Sequence, residues 1–186
     1  ELKTNEDIND WSDLIDFIDF INNSSDQAFE SELANRIELT EYLRSIALDN
    51  LFSNLDSYTG SARNYYIYHN ISTDRWEWIK WDGNESFGSY TNNAGNMLTL
   101  DLDYHNSNRP LLERIFDNEV LYDMYLTEVC DITQNFFNSD YMDARIDVVA
   151  DLVRDDVTAD DNKMYSTADF ETNLEDNISG GGGPGG

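Results

Sequence analysis

Residues 64–81 read NYYIYHNISTDRWEWIKW, and this stretch decides the fold class. Asn64-Tyr65-Tyr66-Ile67-Tyr68 has the aromatic and β-branched composition of a pleated, half-buried strand. Asn70 to Asp74 supplies turn residues, and Arg75-Trp76-Glu77-Trp78-Ile79-Lys80-Trp81 alternates with a period of two. The stretch therefore predicts a β-hairpin. Alternation puts Trp76 and Trp78 on one face, which favours packing against a core over a sugar-stacking platform.

Helical periodicity surrounds the hairpin on both sides. Residues 5–22 space Ile8, Trp11, Leu14, Ile15, Ile18 and Ile21 by threes and fours, with Asp on the opposite, wet face. A second helix is expected over 26–36, with Phe29 and Leu33 inward. Thr40 can cap a third, whose apolar face is Leu43, Ile46, Ala47 and Leu51. After the hairpin, residues 82–108 are rich in Gly, Asn, Ser and Asp, and a loop of that length is usually functional or mobile. Pro110 suits a first helical turn ahead of Leu111, Leu112 and Ile115. Tyr125, Val129, Ile132 and Phe136 form the spine of a longer helix, and Met142, Ile146, Val149 and Val153 that of another. Phe170, Leu174 and Ile178 mark a last short one. The sum is an α+β fold, mainly helical, with one central hairpin.

Charge excludes several functions. The 186 residues hold 38 Asp and Glu against 11 Lys and Arg, a formal charge of -27. Duplex nucleic acid and anionic lipid both need clustered cations, so neither is an expected partner. Disorder does not follow, because 40% of the residues are hydrophobic and 13% aromatic, enough to build a core. No apolar run approaches the roughly 20 residues of a membrane span. The single cysteine, Cys130, lies among apolar helical residues and reads as a small buried hydrophobe. His69 and His105 are too few for a histidine metal cluster. The chain has neither an initiator Met nor a signal peptide, and its tail, GGGGPGG over residues 180–186, reads as a flexible linker. Both ends suggest a fragment of a longer, secreted or surface-attached chain, with a domain over 1–179 and further domains beyond the linker.

The polar loops flanking the hairpin are the best place for chemistry. Asn54, Asp56, Ser57, Tyr58 and Asn64 lie on one side and Asp82, Asn84 and Glu85 on the other. A hairpin returns the chain to where it left, so Asp56 and Asp82 can face one another although 26 positions separate them. Carboxylates with an amide oxygen are the ligands hard divalent cations prefer. The order Asp56, Asn64, hairpin, Trp81-Asp82-Gly83 parallels that of protein kinases: a catalytic Asp, an Asn, then a metal-binding Asp. The eight positions from Asp56 to Asn64 exceed the protein-kinase spacing. Turn carboxylates also commonly serve structure alone by accepting backbone N–H bonds. Asp101-Leu102-Asp103, with Asn106 and Asn108, lacks the Gly and terminal Glu of a calcium loop and reads as a solvated loop. Arg63 and Arg75 can bind phosphate or pair with Asp74 or Asp56.

Two segments carry a family resemblance. Residues 48–68, LDNLFSNLDSYTGSARNYYIY, resemble the central motif of the spore-coat-H (CotH) kinase family, and residues 78–88, WIKWDGNESFG, resemble its Trp-Asp motif. The Ile-Asp-Phe-Ile helix upstream, the Pro-Leu-Leu helix downstream and the Gly/Pro-rich tail fit as well, so the resemblance spans nearly the whole chain. It implies the C-terminal lobe of an atypical protein kinase. Such a kinase is bacterial, lies at a cell or spore surface or is secreted, and uses ATP with Mg²⁺ or Mn²⁺ to phosphorylate Ser or Thr of coat or surface proteins. By that resemblance Asp56 is the catalytic residue, Asp82 a metal ligand and Asn64 a second one; Asn84 and Glu85 are lesser candidates.

Two departures matter. The family often has His or Gln where Arg63 stands. Its members also carry a preceding stretch with an Arg-Gly-Asn-Ser motif and nucleotide-facing strands. Here no Gly-rich phosphate loop is found, and Lys3, Lys80 and Lys163 are the only lysines. The chain is thus expected to be truncated at its N-terminus, and inactive alone if so. The competing functions are a non-catalytic, cation-stabilised binding or surface-attachment module, and a degenerate relative that keeps only the scaffold.

Overall fold

A computed structural model of the protein describes residues 3–4, 6–176 and 178, apart from the Leu98 side chain; the glycine tail at 180–186 lies outside the described residues. Among the described residues, seven helices and two strands follow in the order α1 (Ser12–Asn23), α2 (Asp26–Arg36), α3 (Leu39–Leu51), β1 (Tyr65–Asn70), β2 (Arg75–Lys80), α4 (Pro110–Phe116), α5 (Glu119–Asn135), α6 (Ser139–Ala159) and α7 (Thr167–Thr172). A single 3₁₀ turn at Met97–Thr99 interrupts the long polar loop. The architecture is α+β and mainly helical with a central hairpin, as expected. Two compact units divide the chain, Glu1–Val129 and Cys130–Gly186, with the boundary inside α5. None of the described helices is long and apolar enough to cross a membrane.

The hairpin pairs Tyr65 with Lys80 through to Asn70 with Arg75, antiparallel throughout. Asn70 makes its turn: its carbonyl accepts from Thr73 and Asp74, and its side-chain oxygen from Ser72. β2 is fastened to the helices by an isolated bridge between Ile37 and Trp76 and by the Glu38 N–H donating to the Trp76 carbonyl at 2.8 Å. Arg75 closes the same edge on Glu38 at 3.2 Å, and not on Asp74 or Asp56.

Trp76 is buried and stacks on Phe17 of α1, with ring centroids 5.5 Å apart. Trp78 is the centre of an aromatic cluster: Tyr65 stacks on it at 4.2 Å, and Tyr42 and Tyr58 meet it edge-on at 4.9 and 5.1 Å. Such pairs add to what area burial alone gives. α4 is tied to the first two helices by Arg114. Its guanidinium donates to the carbonyls of Ile21 and Ser24, completing the C-terminal end of α1.

Several helix faces differ from expectation. α1 begins at Ser12, not near residue 5, and buries Phe17, Phe20 and Ile21 while Ile8, Ile15 and Ile18 are exposed. Two apolar stripes run along this helix, and the stacking partners Trp76 and Phe29 select the aromatic one. α3 starts at Leu39 with Glu38 before it, so Thr40 does not cap it. Phe136 lies past the end of α5 and is exposed. Within α6 only Ala150 is buried, and Val149 is exposed. α7 ends at Thr172, short of Leu174 and Ile178. Cys130 is exposed rather than a buried hydrophobe.

Candidate functional site

The segment from Phe52 to Asn64 leaves α3 and folds back on itself before entering β1. Leu55 is its fully buried plug. Around it the backbone closes on itself: the Ser61 N–H donates to the Leu55 carbonyl at 2.9 Å, and the Ala62 N–H to the Ser57 carbonyl at 2.9 Å. Buried Ser57 donates to the Asn54 carbonyl and shares a hydrogen bond with Thr59. Gly60 is required here, because a Cβ at that position would stand 2.0 Å from the Leu55 carbonyl oxygen. Ser53, Ala62 and Asn64 adopt positive φ. Asn tolerates that conformation well and Ala poorly, so the loop holds a conformation the surroundings must enforce.

Arg109 does much of the enforcing. Its Nε donates to the Tyr58 carbonyl and its Nη2 to the Gly60 carbonyl, both at 2.5 Å. Asn106 adds its backbone N–H to the Thr59 carbonyl and its side-chain amide to the Gly60 carbonyl. The stretch from Asp101 to Asn108, read from sequence as a solvated loop, thus braces the Asp56 loop from outside through Asn106, with Arg109 beside it.

Asp56 sits half-buried at the centre. Its two carboxylate oxygens accept separately: Oδ1 from the Ser61 hydroxyl at 2.6 Å, and Oδ2 from the Asn64 amide at 2.8 Å. The same Asn64 nitrogen also donates to the Asp56 carbonyl at 2.8 Å. Asn64 spends its nitrogen wholly on Asp56, and its amide oxygen accepts no hydrogen bond from the described residues. Its carbonyl accepts from the Trp81 N–H at 3.2 Å, which zips the open end of the hairpin one step beyond the last strand pair. Asp82 follows directly, exposed, at φ 55°, with no hydrogen bond or ion pair to its carboxylate among the described residues. The hairpin therefore brings Asp56, Asn64 and the backbone leading into Asp82 together.

The lesser candidates divide. Asn84 is exposed, while Glu85 accepts from the Ser89 hydroxyl at 3.1 Å. Arg63 is exposed and makes no ion pair among the described residues. The segment after Asp82 returns to the start of the loop, with the Phe87 N–H on the Phe52 carbonyl and their rings stacked at 5.3 Å.

Beneath the loop lies a polar interior that sequence reasoning missed. Asp49 on α3 is 2% exposed and forms an ion pair with Lys80 at the end of β2. The same Asp49 oxygen accepts from the Asn54 amide at 3.1 Å, and the Asp49 carbonyl accepts from the Asn54 N–H at 2.8 Å. Burial pushes the Lys80 ammonium down, to about 8; the carboxylate it touches favours the charged form. Next to Asp49, buried Asn50 donates to the Leu102 carbonyl and to the Tyr125 hydroxyl. A signal for this cluster existed: Asp49 and Asn50 continue the stripe Tyr42, Ile46 at helical spacing, so α3 had to bury them.

The family whose members are described as CotH kinase protein matches residues 1–179 of this chain. The chain belongs to the CotH kinase family. The match covers the first unit, the second as far as residue 179, and every residue of the candidate site. It brings kinase chemistry, with ATP, a divalent metal and a protein substrate, as the general frame. No curated protein matches the sequence.

Among the described residues, no group of three or more His, Cys, Asp or Glu side chains gathers where it could hold a metal ion. The available donors are the free Asp82 carboxylate and the free Asn64 amide oxygen. Hard oxygen donors in that number suit Mg²⁺, which takes one or two protein ligands and fills the rest of its shell with phosphate oxygens and water.

Proposed function

We propose that this protein transfers the terminal phosphoryl group of ATP to a Ser or Thr hydroxyl of a coat or surface protein, with Asp56 as the catalytic residue and Asp82 and Asn64 as metal ligands. The observation that carries the reading is the division of labour around Asn64. Its nitrogen orients the Asp56 carboxylate, its oxygen is left over, and its carbonyl fixes the strand that delivers Asp82.

Asp56 Oδ1 and Oδ2 each accept one hydrogen bond in the free protein, so the carboxylate is aimed. Each oxygen keeps a further lone pair for the proton of an incoming hydroxyl. The Ser61 and Asn64 donors keep the carboxylate pointed at that hydroxyl as its oxygen attacks, and Asp56 receives the proton that leaves it. Asp82 and Asn64 would hold Mg²⁺ or Mn²⁺, which when bound neutralises phosphate charge. A chain of charge -27 repels ATP, so this neutralisation is a requirement of the reading as well as a convenience.

The test is a metal titration of phosphoryl transfer from labelled ATP to a Ser-rich acceptor. Asp82→Asn and Asn64→Ala should raise the metal concentration needed for half-maximal transfer by about tenfold or more. An unchanged requirement in either variant removes that residue from the metal site.

A further inference from the structure

Asp56 and Asp82 have a common origin that the hairpin alone does not supply. Asn54 stands two positions before Asp56 and Lys80 two positions before Asp82, and both side chains end on one atom, Asp49 Oδ1. Asp49 sits in the last turn of α3, nearly inaccessible to solvent. One buried oxygen is thus the shared anchor of the two chain segments whose carboxylates must be held in register.

We infer that the Asp49–Lys80 pair is a positioning clamp, fixing the segment that delivers Asp82 against the loop that carries Asp56. The inference rests on the phosphoryl-transfer reading above. A contribution to stability alone does not explain the pair. Asp49 is out of water and Lys80 only partly so, its side chain 27% exposed; removing a charge from water costs much of what the attraction returns, and apolar side chains commonly serve stability as well or better. What apolar packing lacks is direction. An ammonium on a carboxylate fixes one strand end at one place, while the Asn54 amide on the same oxygen fixes the loop. The remaining ties are weaker in reach: a single backbone hydrogen bond joins Trp81 to Asn64, and Asn64 then holds Asp56. Without Lys80, the end of β2 keeps that bond, the Trp78–Tyr58 ring contact and the Phe87–Phe52 tie further on, and none of these fixes Lys80's own strand position against Asp49.

Lys80→Met by itself strands the buried Asp49 charge and can unfold the protein, so the informative variant is the double one, Asp49→Asn with Lys80→Met. It keeps an acceptor for Asn54, removes both charges and deletes only the tie to β2. Two measurements on the chain decide the matter. Amide hydrogen exchange at Trp81 should accelerate by about tenfold or more, while amides of α1 and α2 keep their parental rates. In phosphoryl transfer, kcat should fall by about 10- to 100-fold with little change in the KM for ATP. Unchanged exchange at Trp81 overturns the clamp, as does acceleration spread evenly over all helices, which is the mark of a purely structural role. Faster exchange with kcat intact overturns positioning. Absence of transfer both in this chain and in one extended at its N-terminus overturns the phosphoryl-transfer reading, and with it the catalytic purpose of the clamp, while the exchange result still decides whether the tie exists.

Discussion

The side-chain nitrogen of Asn64 donates to both the carbonyl and the carboxylate of Asp56, at 2.8 Å each. The Asp56 loop and the first strand of the hairpin are thereby joined through one amide, in a residue whose φ of 60° few other side chains accept.

Asn64→Ala should therefore lose two hydrogen bonds and gain backbone strain together. We expect a loss of about 1–3 kcal/mol in urea unfolding. Asn64→Gly should recover the part due to strain, because Gly adopts positive φ freely. Equal losses in the two variants would show that strain contributes nothing.

Gly60→Ala is expected to destabilise although its φ is ordinary. The added methyl would stand 2.0 Å from the Leu55 carbonyl oxygen, which belongs to a fully buried residue of the same loop. The backbone must shift, at a cost of about 1–3 kcal/mol in urea unfolding. A neutral substitution would mean the loop is looser than its hydrogen bonds indicate.

Arg109→Lys tests the outer brace. The guanidinium reaches the Tyr58 and Gly60 carbonyls at once, and its plane lies 5.6 Å from the Tyr58 ring centroid. An ammonium is a point donor without that fork. The variant should unfold about 1–3 kcal/mol more easily than the parent. Full retention of stability would indicate that Asn106 suffices to hold the loop.

Alkaline pH should unfold the protein. Burial raises the phenols of Tyr42, Tyr58 and Tyr65, and that of Tyr125 to about 12. A raised pKa in the folded state means that the unfolded chain releases its protons first, beginning near pH 10. The stabilisation from these neutral phenols is whole below that pH and is lost as pH climbs through the folded values. The last tyrosinate absorbance to appear should coincide with loss of helical circular dichroism. Complete tyrosine titration with the helical signal intact would contradict this account.

Much of the fold was legible because its signals are local. The hairpin follows from alternation at Arg75 to Trp81 and the turn at Asn70, and the structure pairs those residues as expected. The family was legible too, since the segments at 48–68 and 78–88 that carry the resemblance need no contact map. Which face of α1 is buried was not, because Ile15 and Ile18 form as good a stripe as Phe17 and Phe20 until Trp76 and Phe29 are in place. Asp49 and Lys80 were harder still. Among 38 acidic residues nothing local marks the one that pairs in the interior, and only its place on the buried stripe of α3 sets it apart.

The central claim is that Asp56 handles the proton of an attacking hydroxyl in phosphoryl transfer. Its most direct test follows labelled phosphate from ATP to a Ser-rich acceptor in the presence of Mg²⁺ or Mn²⁺, comparing the parent, extended at its N-terminus, with Asp56→Asn in the same chain. That substitution keeps size and most hydrogen bonding but cannot take a proton. The account predicts transfer by the parent and a fall in kcat of about 100-fold or more in the variant. Equal transfer by the two proteins would contradict it.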